Sequence, residues 1–423
     1  MKKLITISCP LSSRSGYGDH ARDLVRSIIS MDTYNVEILD QRWGNCPRTE
    51  LIGKNEDLIP YLLPTNEIKT KPDIWIQITV PNEFQPIGKY NIGITAGMET
   101  TMVDPSWIEG CNRMNKVLVP SQHSKKVFDM TTYDKMDKQS NQKAGELRTT
   151  TPVEVLFEGL DLEVYKKTSE KESKIEKFMS NVKEDFCFLA VGHWLKGDIH
   201  HDRKDLGSLI LNFNTTFNSI GSNKKPALIL KTSGATYSVV DREEIRKKIL
   251  SLIDKKDTNT PSIYFLHGDL SEKEMNALYN HQKIKSMVSF THGEGFGRPL
   301  LEFSVTGKPT IAPNWSGQVD FLLEHGILLG GELKQVHQSA AWDNVILKDS
   351  QWFYVNMPYA SSALKTVFKK YKNIKEKSRK QTQYVKDNFS LDKMTDEFEV
   401  ILKSASESIS ERVEFKLPKL EKI

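Results

Sequence analysis

Short apolar runs alternate with amphipathic stretches along most of the 423-residue chain. In its first part, strands are predicted at residues 4–8, 35–39, 73–79, 90–95 and 116–121. Between the first two runs, apolar residues at 21, 24, 25 and 28 line one face of a helix predicted over 19–30. The polar, lysine-rich segment 131–150 interrupts the alternation, so we expect it to be a surface excursion.

The same alternation restarts after a charged stretch at 167–184. Strands are predicted at 186–194, 226–234, 261–269 and 286–290, a helix at 271–281, and a helical, lysine-rich tail after 376. Two series of alternating strands and helices predict an α/β fold with two Rossmann-like, parallel-sheet domains. Because such sheets bind ligands beyond the carboxyl ends of their strands, the two domains should face a central cleft.

Composition and charge change this picture little. The net charge of +4 neither requires nor excludes a polyanionic partner. The four cysteines are scattered without metal-ligand spacing, which favours a reducing cytoplasm. The apolar run in "MKKLITIS" is too short for a signal peptide, and no stretch approaches the ~20 apolar residues that span a membrane.

A glycine-rich turn, "THGEGFGRPLLEFSVTGKP", occupies residues 291–309 directly after a predicted strand. Pro299 suits the first position of a helix, and such a helix start attracts phosphate. Glu302 is predicted in the first helical turn and Glu294 on the loop, where both carboxylates could accept hydrogen bonds from sugar hydroxyls. The pattern favours a nucleotide-sugar site. Alternatively, Glu302 only complements the helix dipole and Glu294 is solvated.

Four further positions carry candidate chemistry near predicted strand ends. Gly16 and Gly18 open the first helix without the third glycine of a dinucleotide fingerprint, so a ligand loop and a simple turn both remain open. Lys231 ends one strand and Glu99 follows another, and each could face the cleft or be structural.

The segment "HHDRKD", residues 200–205, follows the first strand of the second part. Arg203 and Lys204 could neutralise a diphosphate, with a forked contact from arginine and a point charge from lysine. The alternative is a solvated run of charges. Since the sequence contains no convincing paired-acid metal motif, a metal-bound sugar nucleotide is not indicated.

Together these motifs resemble the group-1 family of GT-B glycosyltransferases. The similarity rests on Glu294, seven intervening residues and Glu302, within "GEGFGRPLLEFSVTGKP", and on "DRKD". The resemblance implies that Glu294 lies beside the donor sugar, that Glu302 binds the donor ribose, and that Arg203 and Lys204 neutralise the leaving diphosphate. It also implies that the loop between the two acids holds phosphate through its backbone: Gly295, Phe296, Gly297 and Arg298. The arginine usual after the preceding strand is absent, because the sequence there reads "VGHW".

The first half matches this family mainly by layout. "GMETT", Trp107 and "VLVPS" are similar to a subgroup in which the glutamate, here Glu99, lies near the acceptor. The sequences of the second-half motifs are also similar to those of family members encoded by tailed phages. The resemblance implies an acceptor-side domain at 1–166, a nucleotide-sugar-binding domain at 167–395, and a C-terminal helix at 396–423 that could pack back on the first domain.

The implied activity is metal-independent, retaining transfer of a sugar from a nucleotide-sugar donor to an acceptor hydroxyl, with no further cofactor. The expected catalytic residues are Glu294, Arg203, Lys204 and Glu99; the expected donor-binding residues are Gly16, Gly18, Lys231, Gly295, Phe296, Gly297, Arg298 and Glu302. The acceptor could be a glycan or a hydroxymethylated DNA base. Two alternatives are a nucleotide-sugar epimerase on the same scaffold and a catalytically idle nucleotide-binding protein.

Overall fold

The computed structural model describes residues 2–65, 67–137, 140, 142–220, 225–234, 236–253, 257, 259–322 and 325–409. The first half contains β1 (Leu4–Cys9), α1 (Gly16–Ser30), β2 (Asn35–Asp40), β3 (Ile74–Ile78), β4 (Tyr90–Ile94), α2 (Pro105–Cys111), β5 (Lys116–Val119), α3 (Gln122–Met130), β6 (Thr132–Met136), β7 (Lys143–Arg148) and β8 (Val153–Val155). Two short 3-10 helices, Glu56–Tyr61 and Pro81–Glu83, lie on its connections.

The second half repeats the alternation and ends in three long helices. It contains α4 (Ser173–Met179), β9 (Cys187–His193), α5 (Leu206–Phe217), β10 (Ala227–Ser233), α6 (Val239–Ser251), β11 (Ile263–Leu266), α7 (Glu272–Asn280), β12 (Ile284–Val288), α8 (Arg298–Ser304), β13 (Thr310–Pro313), α9 (Val319–Leu322), β14 (Ile327–Leu329), β15 (Gly331–Gln335), β16 (Gln351–Val355), α10 (Met357–Lys369), α11 (Tyr371–Asn388) and α12 (Leu391–Glu407).

Each half forms one six-stranded parallel sheet. The strand orders are β2-β1-β3-β4-β5-β8 in the first and β11-β10-β9-β12-β13-β14 in the second. Every residue of β3 and of β10 is buried, as expected for strands covered by helices on both faces. The predicted fold class, two Rossmann-like parallel-sheet domains of GT-B type, is therefore confirmed.

Two antiparallel hairpins extend from this framework. The predicted surface excursion at 131–150 is the hairpin β6–β7, most of whose residues are exposed. The hairpin β15–β16, which the sequence analysis did not anticipate, reaches from the second domain to the first: the N–H of Thr101 donates to Gln351 O at 3.0 Å. The second domain is thereby tied to the loop that follows β4.

The C-terminal helices return to the first domain. Helix α12 packs on α1, and Thr395 Oγ1 lies 2.8 Å from Ser27 Oγ. Helix α12 begins at Leu391, so the boundary expected at 395/396 falls inside one continuous helix. Residues 410–423 lie outside the described part of the chain. No helix among the described residues is long and apolar enough to cross a membrane.

Candidate functional site

Four side chains that the sequence analysis selected as catalytic meet where the two domains face each other. Lys204 Nζ lies 2.5 Å from Glu294 Oε1, and Arg203 Nη1 lies 2.8 Å from Glu294 Oε2. The first domain contributes Glu99, whose Oε1 is 3.7 Å from Arg203 Nε. Two acids and two bases from three separate loops thus form one cluster at the interface.

Backbone hydrogen bonds hold the loops of this cluster in place. Arg203 and Lys204 lie between β9 and α5, and Arg203 O accepts a hydrogen bond from the N–H of His292 at 2.7 Å. The Glu294 N–H donates to Ser316 Oγ at 2.9 Å, and Glu294 O accepts from the N–H of Gly317 at 2.9 Å. The ion pair therefore joins two loops that are already fixed by their main chains.

The charges of the cluster follow from burial and from these short distances. Burial by itself would raise the pKa of Glu294, but the adjacent Lys204 and Arg203 hold it at about 2. Glu99 lies farther from Arg203, so burial prevails and raises its pKa. Glu294 is consequently an anion at neutral pH, able to accept hydrogen bonds or face a positive charge but unable to donate a proton.

Glu302 is placed differently from its prediction. Helix α8 begins at Arg298, so Glu302 is its fifth residue. Glu302 therefore lies beyond the first helical turn, whereas the sequence predicted it within that turn. Its side chain is buried, with 7% of the residue exposed, and accepts hydrogen bonds from Tyr279 Oη at 2.9 Å and from Arg298 Nε at 3.3 Å. The predicted first-turn position is therefore wrong, because α8 begins at Arg298, one residue before Pro299, which was expected to be its first residue.

Arg298 links this carboxylate to the first domain. Its Nη1 lies 2.6 Å from Asp23 Oδ2 on α1, while its Nε contacts Glu302. Burial raises the pKa of both Glu302 and the neighbouring Glu158 to about 7, an effect that Arg298 partly opposes. The sequence analysis did not identify Asp23, because no local sequence pattern indicates a contact between residues 275 positions apart.

The glycines of the turn accommodate protein backbone in this structure. A Cβ on Gly295 would lie 1.9 Å from Ala96 O, and one on Gly293 would lie 2.0 Å from Glu99 O. Ser121 Oγ also donates to Gly295 O at 2.6 Å. The sequence analysis expected these glycines to admit a ligand; here they let the loop after β4 dock against the turn.

Two further residues of the loop, Phe296 and Gly297, could contact a ligand only through their main chain. The Phe296 ring is buried against Phe321 and Phe389, so it packs in the core. Gly297 precedes α8 with a φ of 102°, a conformation that favours glycine. No described residue accepts a hydrogen bond from the N–H of Phe296 or Gly297. The same holds for the N–H groups of Gly295 and Arg298, so the turn has four main-chain N–H groups without a described acceptor.

The two glycines of the first domain differ in their surroundings. Ser15 Oγ caps α1 by accepting from the Gly18 N–H at 3.1 Å, and a Cβ on Gly18 would lie 2.2 Å from Ser13 O. A Cβ on Gly16 would meet nothing within 4 Å. Close packing thus requires glycine at position 18 but not at position 16.

Lys231 lies near a second charged contact between the domains. It is 8% exposed, its Nζ lies 5.4 Å from the centre of the Tyr237 ring, and burial lowers its pKa to about 8. Nearby, Arg14 Nη2 of the first domain lies 2.8 Å from Asp269 Oδ1. Sequence reasoning missed both members of this pair.

An aromatic pair borders the same face of the first domain. Trp43 stacks on Tyr17 with ring centres 4.0 Å apart. Tyr17 Oη lies 3.0 Å from Thr95 Oγ1 and accepts from the Ala96 N–H at 3.0 Å, on the loop that leads to Glu99. The pair was not predicted, although a tryptophan in a polar, proline-containing loop after a strand is a signal that could have been weighed.

No family model and no curated protein matches the chain. Solved structures do match over nearly its whole length. A glycosyltransferase from Rickettsia africae is 14% identical with a TM-score of 0.62, covering 96% of this chain and 99% of its own. Sucrose-phosphate synthase from Thermosynechococcus elongatus is 11% identical with a TM-score of 0.61, covering 95% and 98%. Anabaena HepE in complex with UDP and glucose is 12% identical with a TM-score of 0.57, covering 95% and 100%. At such identities the similarity establishes the fold, and the chain has the two-domain GT-B fold.

Proposed function

We propose that this protein is a glycosyltransferase that moves a sugar from a nucleotide-sugar donor to an acceptor hydroxyl, with retention and without a metal. The observation that carries the proposal is the cluster of Glu99, Arg203, Lys204 and Glu294 at the domain interface. The fold supports it, because parallel sheets bind ligands beyond the carboxyl ends of their strands. A protein with this fold, Anabaena HepE, has been solved in complex with UDP-glucose, which supports a nucleotide-sugar as donor.

Arg203 and Lys204 would stabilise the leaving diphosphate. As the bond between the anomeric carbon and the diphosphate oxygen breaks, its electron pair stays on that oxygen. Two fixed cations in a buried site stabilise this developing negative charge without reorganising. Both cations now face Glu294 and are held within 2.8 Å of it, so they are oriented before a donor enters. The same two charges are our reason for proposing metal independence.

Glu294 would act on the sugar. Because its pKa is about 2, it is anionic when the donor binds. An anion there can accept hydrogen bonds from sugar hydroxyls and face the positive charge that develops on the sugar ring. It would not serve as the proton donor. In a retaining reaction the acceptor oxygen attacks from the side that the diphosphate leaves, and its proton passes to the leaving phosphate oxygen.

Glu302 would hold the donor ribose. Its carboxylate is already fixed by Tyr279, and its contact with Arg298 Nε is the longer of the two, at 3.3 Å against 2.9 Å. Ribose hydroxyls could therefore replace the weaker contact while Tyr279 keeps the carboxylate in place. The free N–H groups of Phe296 and Gly297 lie on the same turn, where they could hold phosphate.

The acceptor would bind on the first domain, beside Glu99. The stacked Trp43 and Tyr17 provide a flat surface there, which suits the apolar face of a sugar ring or a nucleobase. We therefore retain both acceptor classes, a glycan and a hydroxymethylated DNA base. Each presents a hydroxyl next to a ring that can stack.

The test is a panel of nucleotide-sugars, first by thermal shift and then by turnover with saccharide and hydroxymethylated-DNA acceptors. Ligand binding raises the melting temperature by mass action, which identifies the donor. Transfer of labelled sugar to either acceptor, unchanged by chelator, is the expected result. Conversion of the donor without any acceptor would point to an epimerase, and binding without turnover to an idle nucleotide-binding protein. Activity lost with chelator and restored by Mg²⁺ or Mn²⁺ would refute the charge assignment.

A further inference from the structure

Helices α10 and α11 concentrate positive charge on the second domain. Residues 365–387 contain nine lysines and arginines, but only Glu376 and Asp387 are acidic. The segment thus carries a net charge of +7, whereas the whole chain carries +4. The remainder of the protein is therefore slightly acidic, and its excess of basic residues is local.

These basic side chains are not neutralised by neighbouring acids. None of the nine forms a salt bridge with any described residue. Some lysines elsewhere on the surface are paired with acids: Lys125 lies 3.0 Å from Asp129, and Lys143 lies 2.7 Å from Asp134. Other lysines of the chain are also unpaired, so what distinguishes the α10–α11 segment is the number of unpaired basic residues within one short stretch.

Four of the basic residues form a stripe along α11. Lys372, Lys375, Arg379 and Lys386 are separated by three, four and seven positions, spacings that return to the same face of a helix. They span about 21 Å at ~1.5 Å per residue. The buried residues of α11, Ser378, Gln381 and Val385, lie on a side of the helix next to the stripe. Lys372 and Arg379 are exposed, and Lys375 and Lys386 are half-buried at the edge of this packed side.

Lys285 extends the stripe beyond the helix. Its Nζ and that of Lys375 both lie 5.9 Å from the centre of the Tyr371 ring. Lys285 is the second residue of β12, at the amino end of the second sheet, whereas Glu294 follows the carboxyl end of the same strand. The α11 basic surface, which we define as Lys285 and the four-residue stripe, therefore starts at the amino end of the second sheet and runs along α11 towards Phe389, whose ring packs near Phe296 of the glycine turn.

We propose that the α11 basic surface binds the phosphate backbone of a nucleic acid, without reading its bases. A regular row of unpaired cations over ~21 Å matches a polyanion whose phosphates recur every ~3.4 Å along each strand. A membrane is less suitable, because no large apolar side chain of α11 is exposed and its apolar face is already packed. Such binding would keep the protein on a nucleic acid. The inference concerns binding alone and does not depend on the proposed transfer reaction.

The test measures anisotropy of a labelled DNA duplex with the full chain. With four phosphate contacts, the affinity should fall with a log–log salt slope of about −3.6, or about 150-fold between 50 and 200 mM salt. The variant Lys372→Ala/Lys375→Ala/Arg379→Ala/Lys386→Ala should lose binding. Replacing Lys372, Lys375 and Lys386 with arginine should leave duplex binding intact, because the positive charges remain.

A matched control removes the same formal charge elsewhere. Lys125, Lys143, Lys166 and Lys334 are each paired with an acid, so their joint replacement by alanine should change duplex affinity less than about threefold. Equal losses in the two variants, or no duplex binding by the wild type at 50 mM salt, would overturn the proposal. So would stripe-dependent binding to phosphatidylglycerol vesicles at salt concentrations that abolish duplex binding.

Discussion

Replacing Glu302 with glutamine should change how the stability of the protein depends on pH. Burial raises the pKa of Glu302 from its ordinary 4.5 to about 7, with Arg298 and Tyr279 partly opposing the rise. A carboxyl with a raised pKa in the folded state stabilises the protein fully below its unfolded pKa. That contribution is lost as the pH rises through the folded pKa. The wild type should therefore lose stability between pH 5 and pH 9 through this residue.

The expected size of the effect follows from the difference between the two pKa values. A difference of about 2.5 corresponds to about 3 kcal/mol at 1.36 kcal/mol per pKa unit. Glutamine is neutral throughout this range, and its carbonyl can still accept from Tyr279 Oη, which lies 2.9 Å from the carboxylate. The free energy of unfolding of Glu302→Gln should thus rise relative to the wild type by about 3 kcal/mol from pH 5 to pH 9. The charge of Glu302 is one of the smaller causes that raise the pKa of Glu158, so the pKa of Glu158 should be lower in the variant than in the wild type.

Urea unfolding at pH 5, 7 and 9 measures this difference. Glu163→Gln is a suitable control, because the side chain of Glu163 is 92% exposed and its replacement should leave the pH dependence unchanged. A constant stability difference between Glu302→Gln and the wild type at all three pH values would show that the carboxyl titrates normally. The buried environment described for Glu302 would then be incorrect.

Three further substitutions test the interface and the site. Gly295→Ala would place a Cβ 1.9 Å from a carbonyl oxygen of the first domain, so it should destabilise the protein by about 1–3 kcal/mol, whereas Gly16→Ala meets nothing within 4 Å and should not lower the melting temperature. Differential scanning fluorimetry compares the two, and equal melting would contradict close packing at the turn. Lys204→Ala should lower kcat for nucleoside diphosphate release about 100-fold or more, since a fixed cation near the leaving group is removed, and unchanged kcat would refute its role. Trp43→Ala should raise the acceptor KM about tenfold in steady-state assays while donor affinity, measured by calorimetry, stays the same; the opposite pattern would place Trp43 on the donor side.

The sequence by itself determined the elements and the fold class. Helix α7 and strand β9 each lie within one residue of their predicted runs, 271–281 and 186–194, at both ends. Hydrophobic periodicity is a local property that follows from which face of an element is buried, so it can be read without knowing the partner. The alternation of strands and helices then left parallel sheets as the favoured arrangement.

Only the tertiary structure decided what the selected residues contact. Glu294 and Arg203 are 91 positions apart, and their 2.8 Å contact depends on how two loops leave adjacent strands. Glu302 was expected in the first helical turn, and the structure places it beyond that turn, in contact with Tyr279 and Arg298. The sequence also did not indicate that the first domain packs against Gly293 and Gly295 of the turn. Such contacts depend on the arrangement of whole elements in space, which residue types and spacing along one chain do not specify.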